Sequence, residues 1–222
     1  MKKLALLALL LLLPCTAFAQ GTVHSGTYGF ESVDAGVFEI GLDNMLLVNY
    51  SSADLDPDGN STLSRLRASY VGGITPRYFV AKNFSVALNL NLFITQENAT
   101  TKVEEAETTV ESGDFGFLGM AMANYYIRLG NSFFFKPGIG GGVFFGTRSR
   151  PGAEEGVKLE SSLSGGAARL DLGLVYYVSS HFNLKAGIDA LMWFGSETDS
   201  NDVSLGYTNL DAGFNVGVAY SF

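Results

Sequence analysis

A serine and a histidine stand side by side at Ser180 and His181, and this pair is the first place to look for catalysis. A histidine within hydrogen-bond reach of a serine can act as its general base. Neighbouring side chains in a turn seldom reach that geometry, so the plainer interpretation is a polar turn. The second histidine, His24, lies near the N-terminus. We therefore predict no catalytic residue.

A run of aspartates raises the question of calcium binding. The stretch DLDPDGN, residues 54–60, has the spacing that opens an EF-hand loop. An EF-hand requires a glutamate at its twelfth position, where this chain has Arg65, and Pro57 interrupts the loop. An EF-hand is therefore excluded. A solvated turn is the simplest interpretation, and loose capture of Ca²⁺ by the acidic side chains is the alternative.

The remaining candidate sites fail on composition. Residues 138–146, GIGGGVFFG, are rich in glycine but lack the Lys-Ser/Thr ending and the following helix of a phosphate loop. One cysteine and two scattered histidines form no cluster that would bind zinc. We predict no metal and no cofactor, so the strands themselves must explain what the chain does.

The first 19 residues predict export rather than a folded element. Two lysines precede an apolar run at 4–13, and residues 17–19, Ala-Phe-Ala, offer small side chains to a signal peptidase. A membrane-spanning helix needs about 20 apolar residues, which is roughly twice this run. We expect cleavage after Ala19, which removes the only cysteine, Cys15. Lipidation of Cys15 is the alternative.

Apolar and polar residues alternate along the rest of the chain. In FSVALNLNLF, residues 84–93, every second side chain is large and apolar over most of the stretch. A period of two marks a strand with two unlike faces, and no stretch keeps a helical period. Charged residues are only 16 %, against about 25 % in ordinary domains. We predict eight strands, at 36–50, 64–80, 84–95, 114–128, 133–147, 162–178, 182–196 and 207–222.

The connections between these strands alternate in length. Three are short, at 81–83, 129–132 and 179–181, and four are long, at 51–63, 96–113, 148–161 and 197–206. Outer-membrane barrels alternate in this way, and closure of the ring removes the sheet edges that lipid cannot tolerate. We predict an all-β fold over 36–222, an eight-stranded antiparallel up-and-down transmembrane β-barrel with both termini in the periplasm.

Aromatic residues test this prediction, because membrane barrels carry an aromatic girdle at each interface. A β-sandwich, the alternative, would place its aromatic residues in the middle of the strands. The predicted periplasmic girdle contains Tyr78, Phe79, Phe84, Tyr125, Tyr126, Phe133, Phe134, Phe135, Tyr176, Tyr177, Phe182, Tyr220 and Phe222. The predicted outer girdle contains Tyr50, Phe93, Phe115, Phe117, Phe144, Phe145, Trp193, Phe194 and Tyr207.

The polar faces of the strands predict what fills the barrel. Eight strands leave an interior just wide enough for side chains. The charges expected inside nearly balance, with Glu39, Asp43, Asp171, Asp189 and Asp211 against Arg65, Arg67, Arg77, Lys136, Arg169 and Lys185. Buried charges must pair, so we predict a plug of ion pairs, with an open pore as the alternative. In strand 114–128 we expect a change of face partway.

Three stretches carry a resemblance to a known family: the signal ending AFAQ, the hairpin ITPRYFVAKNFSVALNLNLF and the terminal GVAYSF. The chain resembles the small outer-membrane β-barrel proteins related to OmpA and OmpX. The resemblance implies that the last strand, ending at Phe222, is read by the outer-membrane insertion machinery. Residues 20–35 match nothing clear in that family, and we expect a flexible periplasmic lead-in there.

The negative charge of the chain lies in the long connections. The net charge is −8, and loss of Lys2 and Lys3 with the signal peptide makes it −10. The four long connections carry −3, −4, 0 and −3, which accounts for all of it. An acidic outer surface repels nucleic acid and suits lipopolysaccharide bridged by divalent cations, or a basic partner. Exposed loops that only need to stay solvated would also be acidic, and this is the simpler interpretation.

These observations lead to one functional prediction and two alternatives. We predict an integral outer-membrane protein that is not an enzyme, a monomer with a structural or surface-interaction role through its acidic loops. The first alternative is a small transport barrel for hydrophobic solutes. The second is a lipopolysaccharide-modifying enzyme, although both histidines lie at the wrong end of the predicted barrel for that chemistry.

Overall fold

The computed structural model describes residues 23–26, 29–54, 61–103, 106–152, 157–199 and 202–222. Its strands are β1 (Val23–Gly26), β2 (Gly29–Val33), β3 (Phe38–Asp54), β4 (Ser61–Ala81), β5 (Phe84–Val103), β6 (Ala106–Tyr125), β7 (Ile127–Gly130), β8 (Phe133–Pro151), β9 (Lys158–Tyr177), β10 (Phe182–Thr198) and β11 (Ser204–Ser221). In the ranges given, no helix is long and apolar enough to cross a bilayer.

Eight strands close into a ring. Strands β3 to β6 pair in chain order, and so do β8 to β11, always antiparallel. β6 pairs with β8, while β7 continues the same strand beyond Tyr126, and β11 pairs with β3. Closure lets every strand satisfy its backbone on both sides, which hydrocarbon requires. The predicted eight-stranded antiparallel transmembrane barrel is confirmed.

The outward face of the barrel is apolar on every strand. On β5, Val86, Leu88 and Leu92 are exposed, whereas the alternating Ser85 and Asn89 are buried. The other strands expose Leu42, Leu46, Leu66, Ile74, Phe115, Ile139, Val143, Leu170, Leu174, Leu184, Ile188, Phe214 and Val216 in the same way. A protein surrounded by water rarely exposes so continuous an apolar surface, so hydrocarbon is the environment that this face fits.

The two ends of the barrel differ in length. Short turns at 82–83, 131–132 and 178–181 join the strands at one end, which we call the turn end. At the other end, the hairpin end, β5 runs to Val103 and β6 begins at Ala106, where we predicted a connection. The predicted long connections are therefore mostly strand. Both faces of these extensions are polar, so no apolar alternation marks them in the sequence.

Beyond the ring, the hairpin end divides into two sheets. Pairing between β6 and β8 stops at Gly113 and Ser149, and pairing between β11 and β3 stops at Ala212 and Val48. All other neighbouring strands remain paired further outward. We call the extensions of β3–β6 the first flap and the extensions of β8–β11 the second flap.

The residues before the barrel form a small sheet of their own. β1 pairs with β2, and the backbone N–H of Val33 donates to Asn83 Oδ1 at 2.9 Å. In return, Asn83 N–H donates to the Val33 carbonyl at 2.8 Å. Asn83 has φ of 60°, a left-handed conformation that asparagine tolerates in turns. Where we predicted a flexible lead-in, the described residues thus form a hairpin bonded to the turn end.

Candidate functional site

The lumen is the most unusual environment in the molecule, because it buries many charges. Among the described residues, six acidic and six basic side chains are buried: Glu39, Asp43, Asp114, Asp171, Asp189, Asp211, Arg67, Arg77, Lys136, Arg148, Arg169 and Lys185. The predicted balance of charge is therefore present. Arg65 was predicted inside but is exposed, because it lies on the first flap, beyond the closed ring.

Glu39 collects four hydrogen bonds at the turn end of the lumen. Its Oε2 accepts from Arg77 Nη1 at 2.8 Å. Its Oε1 accepts from Tyr177 Oη at 2.8 Å, Asn183 Nδ2 at 3.1 Å and Ser221 Oγ at 3.0 Å. The partners come from β4, β9, β10 and β11, so one carboxylate on β3 joins five strands. This many donors offset the cost of removing a carboxylate from water.

A second network lies in the middle of the lumen. Arg169 makes a bidentate pair with Asp189, with Nε–Oδ1 at 2.8 Å and Nη2–Oδ2 at 3.0 Å. Asn215 Nδ2 donates to Asp189 Oδ2 at 2.6 Å and to Asp171 Oδ1 at 3.3 Å. Asp171 also accepts from Lys136. The amide of Asn215 thus joins the Arg169–Asp189 pair to the Lys136–Asp171 pair.

A lysine joins this network to β3. Lys185 Nζ lies 3.2 Å from Asp171 Oδ2 and 3.3 Å from Asp43 Oδ2. The hydroxyl of Thr75 donates to the same Asp43 oxygen at 3.1 Å. Each buried charge therefore faces an opposite charge or a hydrogen-bond donor, which is the condition for burying ions at tolerable cost.

The third network lies at the hairpin end. Arg148 donates to both carboxylate oxygens of Asp114, with distances of 2.6 and 2.8 Å, and to Glu197 Oε2 at 3.0 Å. Arg67 Nε lies 3.5 Å from Asp211 Oδ2. Asp114 and Arg148 were not among the predicted lumen charges. Asp114 is the first residue of predicted strand 114–128 and Arg148 the first of predicted connection 148–161, whereas β6 and β8 in fact continue past both.

An aromatic barrier crosses the lumen between the second and third networks. The rings of Phe93 and Phe144 lie 5.2 and 5.1 Å from that of Trp193. Trp193 Nε1 donates to Asp211 Oδ2 at 2.8 Å, so the buried indole has its partner. The barrier packs in a larger apolar cluster with Met45, Leu47, Val71, Ala87, Leu118, Met120, Met122, Leu163, Ala167 and Leu191.

The prediction that all three barrier residues belong to the outer girdle is wrong. Phe144 and Trp193 are each followed by a second aromatic residue, Phe145 and Phe194, and it is these that face outward. Neighbours in a strand face opposite sides, so one member of each aromatic pair has to point inward. That spacing was available in the sequence as a signal. Tyr50 and Phe115 do lie on the outward face as predicted.

A second apolar cluster closes the turn end, and we call it the turn-end seal. It consists of Val33, Val37, Phe79, Tyr126, Phe134, Val175 and Tyr177. Its four aromatic residues were predicted for the periplasmic girdle, which is wrong because they face inward. The girdle prediction does hold for exposed Tyr125, Phe133, Tyr176, Phe182, Tyr220 and Phe222.

β6 does not change face as the sequence analysis expected. From Asp114 to Asn124, every even-numbered residue is buried, including the large Leu118 and Met120. The odd positions are small in the middle of the strand, as at Gly119 and Ala121. The apparent change of face is therefore a reversal of side-chain size, with the bulk turned inward to build the barrier cluster.

The Ser180–His181 pair lies outside the lumen, on the turn between β9 and β10. Ser180 Oγ and His181 Nδ1 are 2.9 Å apart, closer than we expected, and the His181 ring stacks on Tyr220 at 5.8 Å. His181 is exposed on a short turn. His24 belongs to β1, and residues 55–60 of the aspartate stretch lie outside the described residues. The part of the chain that the structure describes has no acidic, histidine or cysteine group arranged to hold a metal ion.

A polar cleft opens where the two flaps separate. Its volume is about 640 Å³, and it is lined by Gln96, Asn98, Thr109, Glu111, Ser112, Gly113, Ser149, Arg150, Pro151, Val157 and Lys158. Glu111 stands on the first flap, while Arg150 and Lys158 stand on the second. The cleft offers charges and hydroxyls to a polar partner, and it adjoins the third network, because Arg150 Nη2 donates to Glu197 Oε2 at 2.8 Å.

Comparison with known proteins identifies the family. A family profile described as outer membrane protein beta-barrel domain matches residues 5–222. Neisserial surface protein A has 15 % identity and a TM-score of 0.46, over 85 % of this chain and 98 % of that one. OprG from Pseudomonas aeruginosa has 17 % identity and a TM-score of 0.47, over 85 % and 97 %. No curated protein matches the chain.

Proposed function

Because this chain belongs to the outer membrane protein β-barrel domain family, we propose that its barrel is a sealed scaffold that presents two flaps at the bacterial cell surface. We propose no catalytic role. The observation that carries the proposal is the lumen, where three ion-pair networks and two apolar clusters fill the interior. A neutral, blocked interior suits a structural role better than passage of solutes.

The turn end faces the periplasm in this proposal, and the flaps face outward. Short periplasmic turns and longer external segments are the arrangement of outer-membrane barrels. An epitope tag inserted between residues 104 and 105 should be stained by antibody on intact cells. The same tag at 131–132, in a short turn, should be stained only after the outer membrane is permeabilised. Staining of the second tag on intact cells would show the opposite orientation, with the turn end at the cell surface.

We further propose that the flaps contact lipopolysaccharide through divalent cations. The first flap exposes Glu107 and Glu111, which lie on the same face of β6. Lipopolysaccharide is anionic, so a divalent cation has to bridge it to these carboxylates. The second flap contributes Lys158, which can meet phosphate groups directly, and Arg150, which is paired with Glu197 at 2.8 Å.

This contact can be measured with purified protein. Lipopolysaccharide micelles with Mg²⁺ should raise the thermal unfolding temperature of the detergent-solubilised barrel, and chelation by EDTA should remove the increase. The double variant Glu107→Gln, Glu111→Gln should lose most of the increase while keeping its own unfolding temperature. An equal increase in the double variant would show that these two carboxylates play no part.

The last strand completes the barrel, and we propose that it is also the segment read during insertion. The Phe222 N–H donates to the Phe38 carbonyl at 2.8 Å, and the two rings lie 6.1 Å apart. Phe222 is exposed on the lipid side of the seam between β11 and β3. A single closed ring needs no second copy to cover an edge, so we propose a monomer.

A further inference from the structure

The two apolar blocks in the lumen differ in where their residues come from. The aromatic barrier and its cluster are built from barrel strands alone. The turn-end seal contains Val33 and Val37, which precede β3 and stand outside the ring. Both valines are almost fully buried, at 0 % and 1 % exposure. One block is thus a fixed part of the barrel, and the other depends on a separate segment, residues 29–37, which we call the strap.

The strap is bonded to one side of the barrel mouth. Val33 exchanges two hydrogen bonds with Asn83, through the asparagine side chain and its backbone N–H. Gly36 N–H donates to the Phe79 carbonyl at 2.8 Å, and Phe79 N–H donates to the Val37 carbonyl at 2.9 Å. These four bonds all join the strap to β4 and the β4–β5 turn.

Polar atoms behind the seal lack partners within the described structure. They are Ser85 Oγ, Arg77 Nε, Asn124 Nδ2 and Tyr126 Oη. All four side chains are at least nine-tenths buried and face the lumen at its turn end. Such groups gain hydrogen bonds when water reaches them, so their desolvation opposes the apolar burial of the strap valines. Burial of the strap valines thus stabilises the closed seal, while the unpaired polar atoms destabilise it. This balance favours a segment that can open.

We propose that the strap is a removable stopper. In place, it seals the turn end of the lumen. Released, it admits water and small solutes to the polar network around Asn124, Lys136 and Asp171, while the aromatic barrier keeps the hairpin end closed. The lumen is then a pocket that opens only at the turn end, and it is not a channel. The strap controls access to this pocket, and it is a local unit that opens without unfolding the barrel.

Cysteine reactivity tests this proposal, because the only native cysteine lies in the predicted signal peptide. Ser85→Cys places a single thiol behind the seal, in the mature protein refolded in detergent. Its rate of reaction with a small charged methanethiosulfonate should be slow with the native strap. The double change Val33→Ala, Val37→Ala should raise that rate by about tenfold or more, since less apolar surface holds the strap in place.

A gentler variant and a matched control separate strap release from general loosening. Asn83→Gly keeps the left-handed turn but removes the side-chain acceptor of Val33, and it should also raise the rate at Ser85→Cys. Ser132→Gly, at a second left-handed turn between barrel strands, should leave the reaction rate of Ser85→Cys unchanged. Thr95→Cys, a buried reporter on the hairpin side of Phe93, should react slowly in every background.

Each other outcome overturns the proposal. Equal reactivity of Ser85→Cys with and without the strap changes would show that the strap is not the seal. Equal acceleration of Thr95→Cys would mean that the barrel as a whole has loosened. Fast reaction of both reporters with the native strap would refute the sealed lumen itself, and with it the proposed scaffold function.

Discussion

Ser221 Oγ donates a hydrogen bond of 3.0 Å to Glu39 Oε1, across the seam where the last barrel strand meets the first. The two residues are partners in register and 182 positions apart in the chain. The acceptor is the same carboxylate that pairs with Arg77 at 2.8 Å. One side chain therefore both bridges the seam of the ring and neutralises a buried cation.

Replacing that carboxylate should be costly. Glu39→Gln leaves Arg77 without its anionic partner, and such a loss destabilises by about 3–5 kcal/mol when the pair is buried. Unfolding by urea in phospholipid vesicles measures the change. Glu107→Gln, on the exposed first flap, is the matched control and should change the free energy of unfolding by less than about 0.5 kcal/mol. Equal effects of the two substitutions would contradict the role given to Glu39.

The buried pair of Arg169 and Asp189 should show strong coupling. Asp189→Leu alone leaves the buried guanidinium of Arg169 with only the Asp171 carboxylate, 3.9 Å away, and loss of a close buried partner destabilises by about 3–5 kcal/mol. Adding Arg169→Leu removes the stranded charge, so the double variant should be more stable than the single one. A double-mutant cycle from the same unfolding experiment gives the coupling energy. Additive effects would mean that the 2.8 and 3.0 Å contacts do not act as a pair.

The lipid-facing surface should reject charge in a way that depends on position. Leu88→Arg puts a guanidinium on the exposed face of β5, and near the middle of a bilayer this costs about 2–4 kcal/mol. Thr108→Arg, in the part of β6 that belongs to the first flap, is the control and should cost close to nothing. Unfolding in vesicles compares the two. Equal tolerance of both substitutions would show that the outward face of β5 does not meet hydrocarbon.

The C-terminal aromatic residue should affect insertion more than stability. Phe222→Ala removes a ring packed near Phe38 but keeps the backbone bond between the two residues. In cells, more of the variant should stay unfolded. The fraction that shows the heat-modifiable gel migration of a folded barrel should therefore fall. Spontaneous folding into detergent should proceed nearly as in the native protein. A defect of the same size in detergent would instead assign Phe222 a purely structural role.

The ring could be predicted from the sequence because lipid requires apolar side chains on the outward face of each strand. Leu88, Ile188 and Phe214 must face hydrocarbon, and their alternation is therefore easy to recognise. The lumen imposes no such rule, since both charged and aromatic residues can fill it. Phe93, Phe144 and Trp193 were consequently assigned to the wrong face, although their neighbours would have shown it for two of them.

The flaps and the strap could not be predicted for a different reason. In the flaps, as at Thr108, both faces of a strand meet water, and the sequence loses its period of two. In the strap, Val33 and Val37 are isolated apolar residues whose partners, such as Phe79 and Tyr177, are distant in the chain. Only the folded ring brings these partners together, so local patterns in the sequence do not contain the contact.

Conductance through a planar bilayer tests the central claim most directly. The mature protein, refolded and inserted into the membrane, should give no steady current above the baseline, because the turn-end seal and the aromatic barrier both block the lumen. Current should appear only when both blocks are weakened together, by Val33→Ala and Val37→Ala with Phe93→Ala and Trp193→Ala. A stable ohmic current from the native protein would contradict the account.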